Sequence, residues 1–192
     1  MKNDPQTTRR ARRETAIEDA VMAHPERLGY PGAAAIRNCR VAMVAGRVDV
    51  LLLPAKSRVK VVLVETKVAT APDAASKVIG QLLMYYAGAL CLGSVGIRYL
   101  REFACREPER ARCTSWVSPK SITCGVSPPG DAWKLLSQGT LLKPYQVRLF
   151  IALEGVAHRA LVPTLQILRK HHGLAIGVIR TKDGRIAAVE NR

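Results

Sequence analysis

The side chains best suited to chemistry in this chain are an acid and an amine at the end of an apolar run. VKVVLV, residues 59–64, leads straight into Glu65, Thr66 and Lys67. Alternate residues of a strand share a face, so Glu65 and Lys67 are expected side by side, with Thr66 on the other side. A second acid, Asp49, sits in GRVDVLLL. An aspartate among Val48, Val50 and three leucines is costly unless it is paired, hydrogen-bonded or bound to metal. If residues 48–53 and 59–68 form a hairpin, Asp49 near the start of one strand lies close to Glu65 near the end of the other. Converging carboxylates suit a hard divalent cation: Mg²⁺ takes oxygen ligands, commonly one or two carboxylates with water and substrate phosphate. The Thr66 carbonyl could add another oxygen, and Lys67 would stand beside the ion, placed to position or help activate a water.

Flanking helices offer further groups. Glu18 lies beside the apolar stripe of a first helix, at the boundary where a side chain can reach a neighbouring sheet. Lys77, Gln81 and Tyr85 are spaced i, i+4, i+8 and form one polar line on a second helix. An amine, an amide and a phenol on that line suit hydrogen bonds to a catalytic water and to phosphate oxygens.

The elements that must position these groups follow from hydrophobic periodicity. MKNDPQTTRRARR is polar and basic, and a loose arm is expected over about residues 1–12. ETAIEDAVMAHPERLG then carries Ile17, Val21 and Leu28, with Ala16 and Ala20 beside them, in helical spacing that ends at Gly29. Three strands are expected at 36–44, 48–53 and 59–68, with links short enough to favour antiparallel neighbours. Pro72 and Asp73 open a helix over AASKVIGQLLMYYAGAL. Residues 91–145 are irregular and read as an insertion, with a short charged helix near Ile97 and another in DAWKLLSQG. VRLFIAL is a buried strand, 157–172 a helix kinked at Pro163, LAIGVIRT a strand, and RIAAVE a final hairpin strand after the turn at Lys182, Asp183 and Gly184.

Composition sets the class. The 192 residues make about one domain, and 48% hydrophobic content implies a globular chain with a core. The net charge of +15, from 30 Lys and Arg against 15 Asp and Glu, points to a polyanionic partner. Nucleic acid is the first expectation; plain solubility or an anionic membrane surface is the bland one. No apolar run approaches the roughly 20 residues that span a bilayer, and no apolar segment backs the basic start, so a cytoplasmic protein is expected. Five cysteines without a C-x-x-C pair support neither a disulfide framework nor a zinc ribbon. Cys105, Cys113 and Cys124 fall in one irregular region, which leaves a second metal site open there.

Taken together, Glu18, GRVD ending at Asp49, ETK at 65–67, and Gln81 with Tyr85 four residues on resemble the PD-(D/E)XK nuclease superfamily. The likeness is to its branch of RecB-type, NucS-like and Holliday-junction-resolving nucleases, and IEDAVMAHPERLG is similar to their first helix. It covers residues 14–90 well and 147–189 in outline. Val48 stands where the family's name has proline. The resemblance implies a restriction-endonuclease-like α/β core, a mixed central sheet flanked by helices in αβββαβ order, here with an insertion. It implies metal-dependent hydrolysis of phosphodiester bonds by a DNA endonuclease in repair, recombination or restriction of foreign DNA. Asp49, Glu65, the Thr66 carbonyl and Glu18 would hold Mg²⁺ or Mn²⁺, while Lys67 and Gln81 complete the catalytic set. Lys77, Tyr85 and Arg9, Arg10, Arg12 and Arg13 of the arm would contact the DNA, with Arg98, Arg101, Arg106, Arg110 and Arg112 in the insertion. A homodimer suits an enzyme that cuts both strands, although no segment identifies an interface.

Each residue has a plainer reading. Glu65 and Lys67 can be a surface pair, Asp49 a cap after Gly46, and Glu18 a partner of Arg12 or Arg13; alternatively the role of Glu18 belongs to Glu14, one turn earlier on the same face. Lys77, Gln81 and Tyr85 can be a packed or solvated stripe. A rival function is a nuclease fold retired to nucleic-acid binding. Aromatic content of 5% argues against extensive base stacking on single strands. If phosphate contacts carry the binding, duplex affinity measured by fluorescence anisotropy should fall at least ~100-fold between about 50 and 200 mM salt. A flat salt profile would remove the electrostatic argument.

Overall fold

The apolar run that precedes Glu65 becomes a strand buried on both faces, and the remaining elements arrange themselves around it. A computed structural model of the chain describes residues 5–39, 41, 46–54, 56–68, 74–91, 111–113, 141–155 and 159–190, apart from the side chains of 5–8, 10, 74, 75 and 111–113. Helix α1 (Pro5–Ala23) leads to strand β1 (Ala34–Cys39), then β2 (Val48–Leu53) and β3 (Val61–Val68). Helix α2 (Ala74–Leu90), β4 (Ala111–Cys113), β5 (Val147–Glu154), α3 (Leu161–His172), β6 (Ile176–Lys182) and β7 (Arg185–Glu190) follow. The seven strands form one mixed sheet in the order β4-β1-β2-β3-β5-β6-β7. The meander β1-β2-β3 is antiparallel, β3-β5-β6 is parallel, and β7 closes as an antiparallel hairpin.

Both parallel connections proceed in the same direction across the sheet, and right-handed crossovers then place their helices on the same face. That face packs Val78, Leu82 and Tyr85 of α2 and Leu161 and Leu165 of α3 against Leu51, Leu63, Leu149 and Ile151. The other face packs Ile17 and Val21 of α1 against Val50, Val64, Phe150 and Ile179. Central strands covered on both sides must be apolar where they are covered, which explains LFIAL and VVLV, while Arg148 and Glu154 fall near the ends of β5. The edge strand β7 is instead mostly exposed and carries Arg185 and Glu190 at its ends. Its turn has positive φ at Asp183 and Gly184 (50° and 67°), the pair of left-handed residues that a two-residue hairpin requires. The hairpin is fastened to the α1 side: Ile186 is buried with Ile17 in the same cluster, and Arg27 donates to the Ile186 carbonyl at 2.9 Å.

Several expectations are corrected. The arm is helical from Pro5, so residues 5–12 extend α1. That helix ends at Ala23 rather than Gly29, because Pro25 disfavours helical geometry at His24 (φ −132°), and 25–28 form a 3₁₀ turn. Strand β1 begins two residues earlier than expected and is described to Cys39, while residues 40 and 42–44 of the expected span lie outside the described residues. Pro163 does not kink α3, since the helix starts at Leu161 and its first turn needs no donor at that nitrogen. The short strand β4, paired with β1, was not foreseen. The two helices expected within 91–145 lie outside the described residues. No helix among the described residues is long and apolar enough to cross a membrane.

Gly177 on β6 lies against the Phe150 ring, where an added Cβ would meet ring carbons at 2.3 Å. Phe150 itself is fully buried and has no room to swing aside. Gly177→Ala is expected to cost about 1–3 kcal/mol, read from the urea unfolding midpoint; an unchanged midpoint would mean that the core relaxes around the methyl group.

Candidate active site

The antiparallel ladder between β2 and β3 ends at Val50 opposite Val64. One step further the register would set Asp49 opposite Glu65, and there side chains take over from backbone pairing. Asp49 Oδ2 accepts from the Thr66 N–H at 2.7 Å and from Thr66 Oγ1 at 2.9 Å. Both contacts use one carboxylate oxygen, so neither consumes Oδ1. Strand β3 meanwhile continues to pair with β5 as far as Val68. The result is a splayed corner in which residues 65–68 stay rigid on one side and open on the other.

Lys67 Nζ donates to Glu65 Oε1 at 2.7 Å, the side-by-side arrangement expected of alternate strand residues. Glu65 is 1% exposed, and its second oxygen, Oε2, is buried without a hydrogen-bond partner. An ionised carboxylate in that state is costly. Burial first, then the negative charge of Asp49, pushes the Glu65 carboxyl up to about 7 despite the attraction of Lys67. For Lys67, burial works to lower the pKa, but Glu65, with Asp49 and Glu14, outweighs it and holds the ammonium above its ordinary value.

Glu18 reaches the same corner from α1. It is buried, and desolvation followed by the charge of Asp49 raises it to about 7 as well. Its partner is Arg37 of β1, whose Nε lies 3.0 Å from Glu18 Oε2, while Nη2 donates to Asp19. Neither Arg12 nor Arg13 takes that role. Arg13 pairs with Glu154 at the end of β5 at 3.2 Å, and Arg12 is exposed. Arg37 was missed by sequence reasoning, although a lone arginine inside AAIRNC is the kind of signal that marks a buried acid nearby. Glu14, one turn before Glu18, contributes its charge last among the causes acting on Glu18, Glu65 and Lys67.

The line on α2 divides by depth. Tyr85 is 3% exposed; its hydroxyl donates to the Arg47 carbonyl at 2.8 Å and is hydrogen-bonded to Gln81. Burial and the nearby Glu65 and Asp49 push its phenol up to about 12. This links α2 to the residues entering β2, so Tyr85 steadies the approach to Asp49 from beneath the surface. Gln81 is half-buried above it, and Lys77 is exposed one turn earlier. Arg9 is exposed on α1, and the side chain of Arg10 lies outside the described residues.

No group of three or more His, Cys, Asp or Glu among the described residues is arranged to hold a metal ion. The corner itself supplies two carboxylates and a neighbouring backbone carbonyl, which is the modest protein share that Mg²⁺ accepts when water fills the remaining positions. The orphaned Glu65 Oε2 and the two raised carboxyls fit a site that needs added positive charge. Cys105, Cys124 and the Cys113 side chain, where a second metal site was left open, lie outside the described residues. Cys39 is buried, with its thiol pushed up to about 12 by that burial. The insertion arginines also lie outside, apart from the backbone of Arg112 in β4. No family model, curated protein or solved structure matches the chain.

The raised carboxyls give a stability prediction with a definite sign. Between about 4.5 and 7 the folded protein holds protons on Glu18 and Glu65 that the unfolded chain has released, so these groups stabilise at low pH and the benefit is lost as pH rises through 7. In metal-free buffer, Glu65→Gln should therefore flatten the decline in melting temperature between about pH 5 and 8 relative to the parent. Parallel profiles would show that Glu65 is not perturbed.

Proposed function

We propose that the chain is a metal-dependent DNA endonuclease with the restriction-endonuclease-like core of the PD-(D/E)XK superfamily. The observation that carries this reading is the meeting of Asp49, Glu65 and Lys67 at the splayed end of β2 and β3, with one buried carboxylate oxygen unpartnered. The order helix, three-strand meander, crossover helix, parallel strand supports it as well. The net charge of +15 supports a nucleic-acid substrate.

In this reading Asp49 and Glu65, with the Thr66 carbonyl, would hold a Mg²⁺ or Mn²⁺ ion, and Glu18 would assist through water. When bound, the ion would supply an acidified water and positive charge against the phosphate. Thr66 fixes the Asp49 carboxylate through two hydrogen bonds, so the acid enters the reaction already oriented. Lys67 Nζ, held 2.7 Å from Glu65, is placed to donate to the attacking water or to a phosphate oxygen as negative charge develops there. Gln81, hydrogen-bonded to Tyr85, would orient that water. Exposed Arg9 and Arg12 on α1, with Lys77 on α2, would hold neighbouring phosphates without reading bases.

The test is cleavage of plasmid, linear, branched and single-stranded DNA with Mg²⁺ or Mn²⁺. Asp49→Asn, Glu65→Gln and Lys67→Ala should each slow cleavage by on the order of 10²–10³-fold, and chelation should abolish it. Variants that cut as fast as the parent would place the site elsewhere. A parent that binds DNA but never cuts it would favour a retired, binding-only nuclease fold.

A further inference from the structure

Arg37 enters the corner from β1, a strand on which no site residue was expected. It stands on β1 opposite Val50, on the face that α1 covers. Its guanidinium faces two acids on consecutive positions of α1. Asp19 is 66% exposed, so water screens that contact heavily, whereas Glu18 is 11% exposed and Arg37 itself 23%. The Nε–Oε2 approach of 3.0 Å lacks the alignment of a hydrogen bond, so the contact with Glu18 is chiefly one of charge on charge. Lys67 does for Glu65 what Arg37 does for Glu18: each buried acid has one fixed cation against it.

We propose, resting on the metal-dependent reading above, that Arg37 takes the place a second divalent cation would hold beside Glu18, so that the site binds one divalent ion and not two. Charge balance points the same way. Asp19 apart, which is 66% exposed and screened by water, Asp49, Glu65 and Glu18 face Lys67 and Arg37, which leaves one negative charge among the less exposed groups, with Asp19 and Glu14 adding weaker fields. A phosphodiester brings one more negative charge. One divalent ion balances that pair, whereas two would leave a buried excess of positive charge. In sites with two ions, these lie about 3.5–4 Å apart and need carboxylates around both. Here the acid that would serve the second is already covered by a guanidinium. A purely structural clamp between α1 and β1 would also explain the ion pair, but it makes no demand on the number of ions bound.

Mn²⁺ titration of the full chain without DNA, followed by calorimetry and by the spin-resonance signal of free Mn²⁺, decides between them. At about pH 8 both raised carboxyls are ionised and able to bind. The parent and Arg37→Lys should take one ion per chain. Arg37→Gln, and Arg37→Leu should the Gln variant fail to fold, should take a second, weaker ion that Glu18→Gln removes again. Two ions on the parent, or one ion on folded Arg37→Gln or Arg37→Leu, would overturn the inference while leaving the nuclease reading intact. No ion on the parent at all would overturn both.

Discussion

Two carboxylates at the ends of neighbouring strands repel one another, and the local structure of this protein is organised around keeping Asp49 and Glu65 together. Glu65 is 1% exposed and Asp49 half-buried, and Val50 and Val64 beside them are fully buried. The repulsion is offset piecemeal. Thr66 grips one oxygen of Asp49, Lys67 neutralises one oxygen of Glu65, and Arg37 stands against the third acid. What remains uncompensated is a single buried oxygen and carboxyls that hold their protons unusually long. Such frustration is uneconomical in a purely structural corner and expected where a cation or substrate completes the charge.

The three layers contribute differently to that corner. The sheet supplies the pair itself, since Glu65 and Lys67 share a face by strand geometry alone. Helix α1 adds Glu18 from one side, while α2 adds Gln81 and Tyr85 from the other. The site thus lies where β2 and β3 have ceased to pair with each other and both layers contribute groups. Arg13 and Glu154 join α1 to the same end of β5, a partly exposed pair worth about 0–1 kcal/mol.

Much of this was legible in the residues. The meander, the span of α2 and the hairpin turn at Asp183 and Gly184 follow from apolar runs and turn chemistry, which are local signals. Asp49 and Glu65 were brought together by counting along an antiparallel hairpin, and Lys67 by alternation. The misses were of another kind. Arg37 reaches Glu18 only because α1 crosses β1 in three dimensions, and no spacing in sequence encodes that crossing. The Asp49 grip by Thr66 depends on where a ladder stops, which is a tertiary outcome of how β2 and β3 splay. Pro163 misled because a proline inside an apolar period and a proline in a first helical turn look alike until the helix start is known.

The fastening of β7 to α1 bears on how the protein is made. The helix carrying Glu18 is translated before every strand of the sheet, yet its seat includes Ile186 and is braced by Arg27 reaching the carbonyl of that same residue. Domains fold largely as units while the ribosome adds roughly 5–20 residues per second. Until residue 186 has emerged and paired, α1 lacks part of the surface that holds it, and the acid on it has no fixed address. The meander with Asp49, Glu65 and Lys67 precedes that residue in the chain, so until residue 186 has emerged the nascent chain carries an unfinished site.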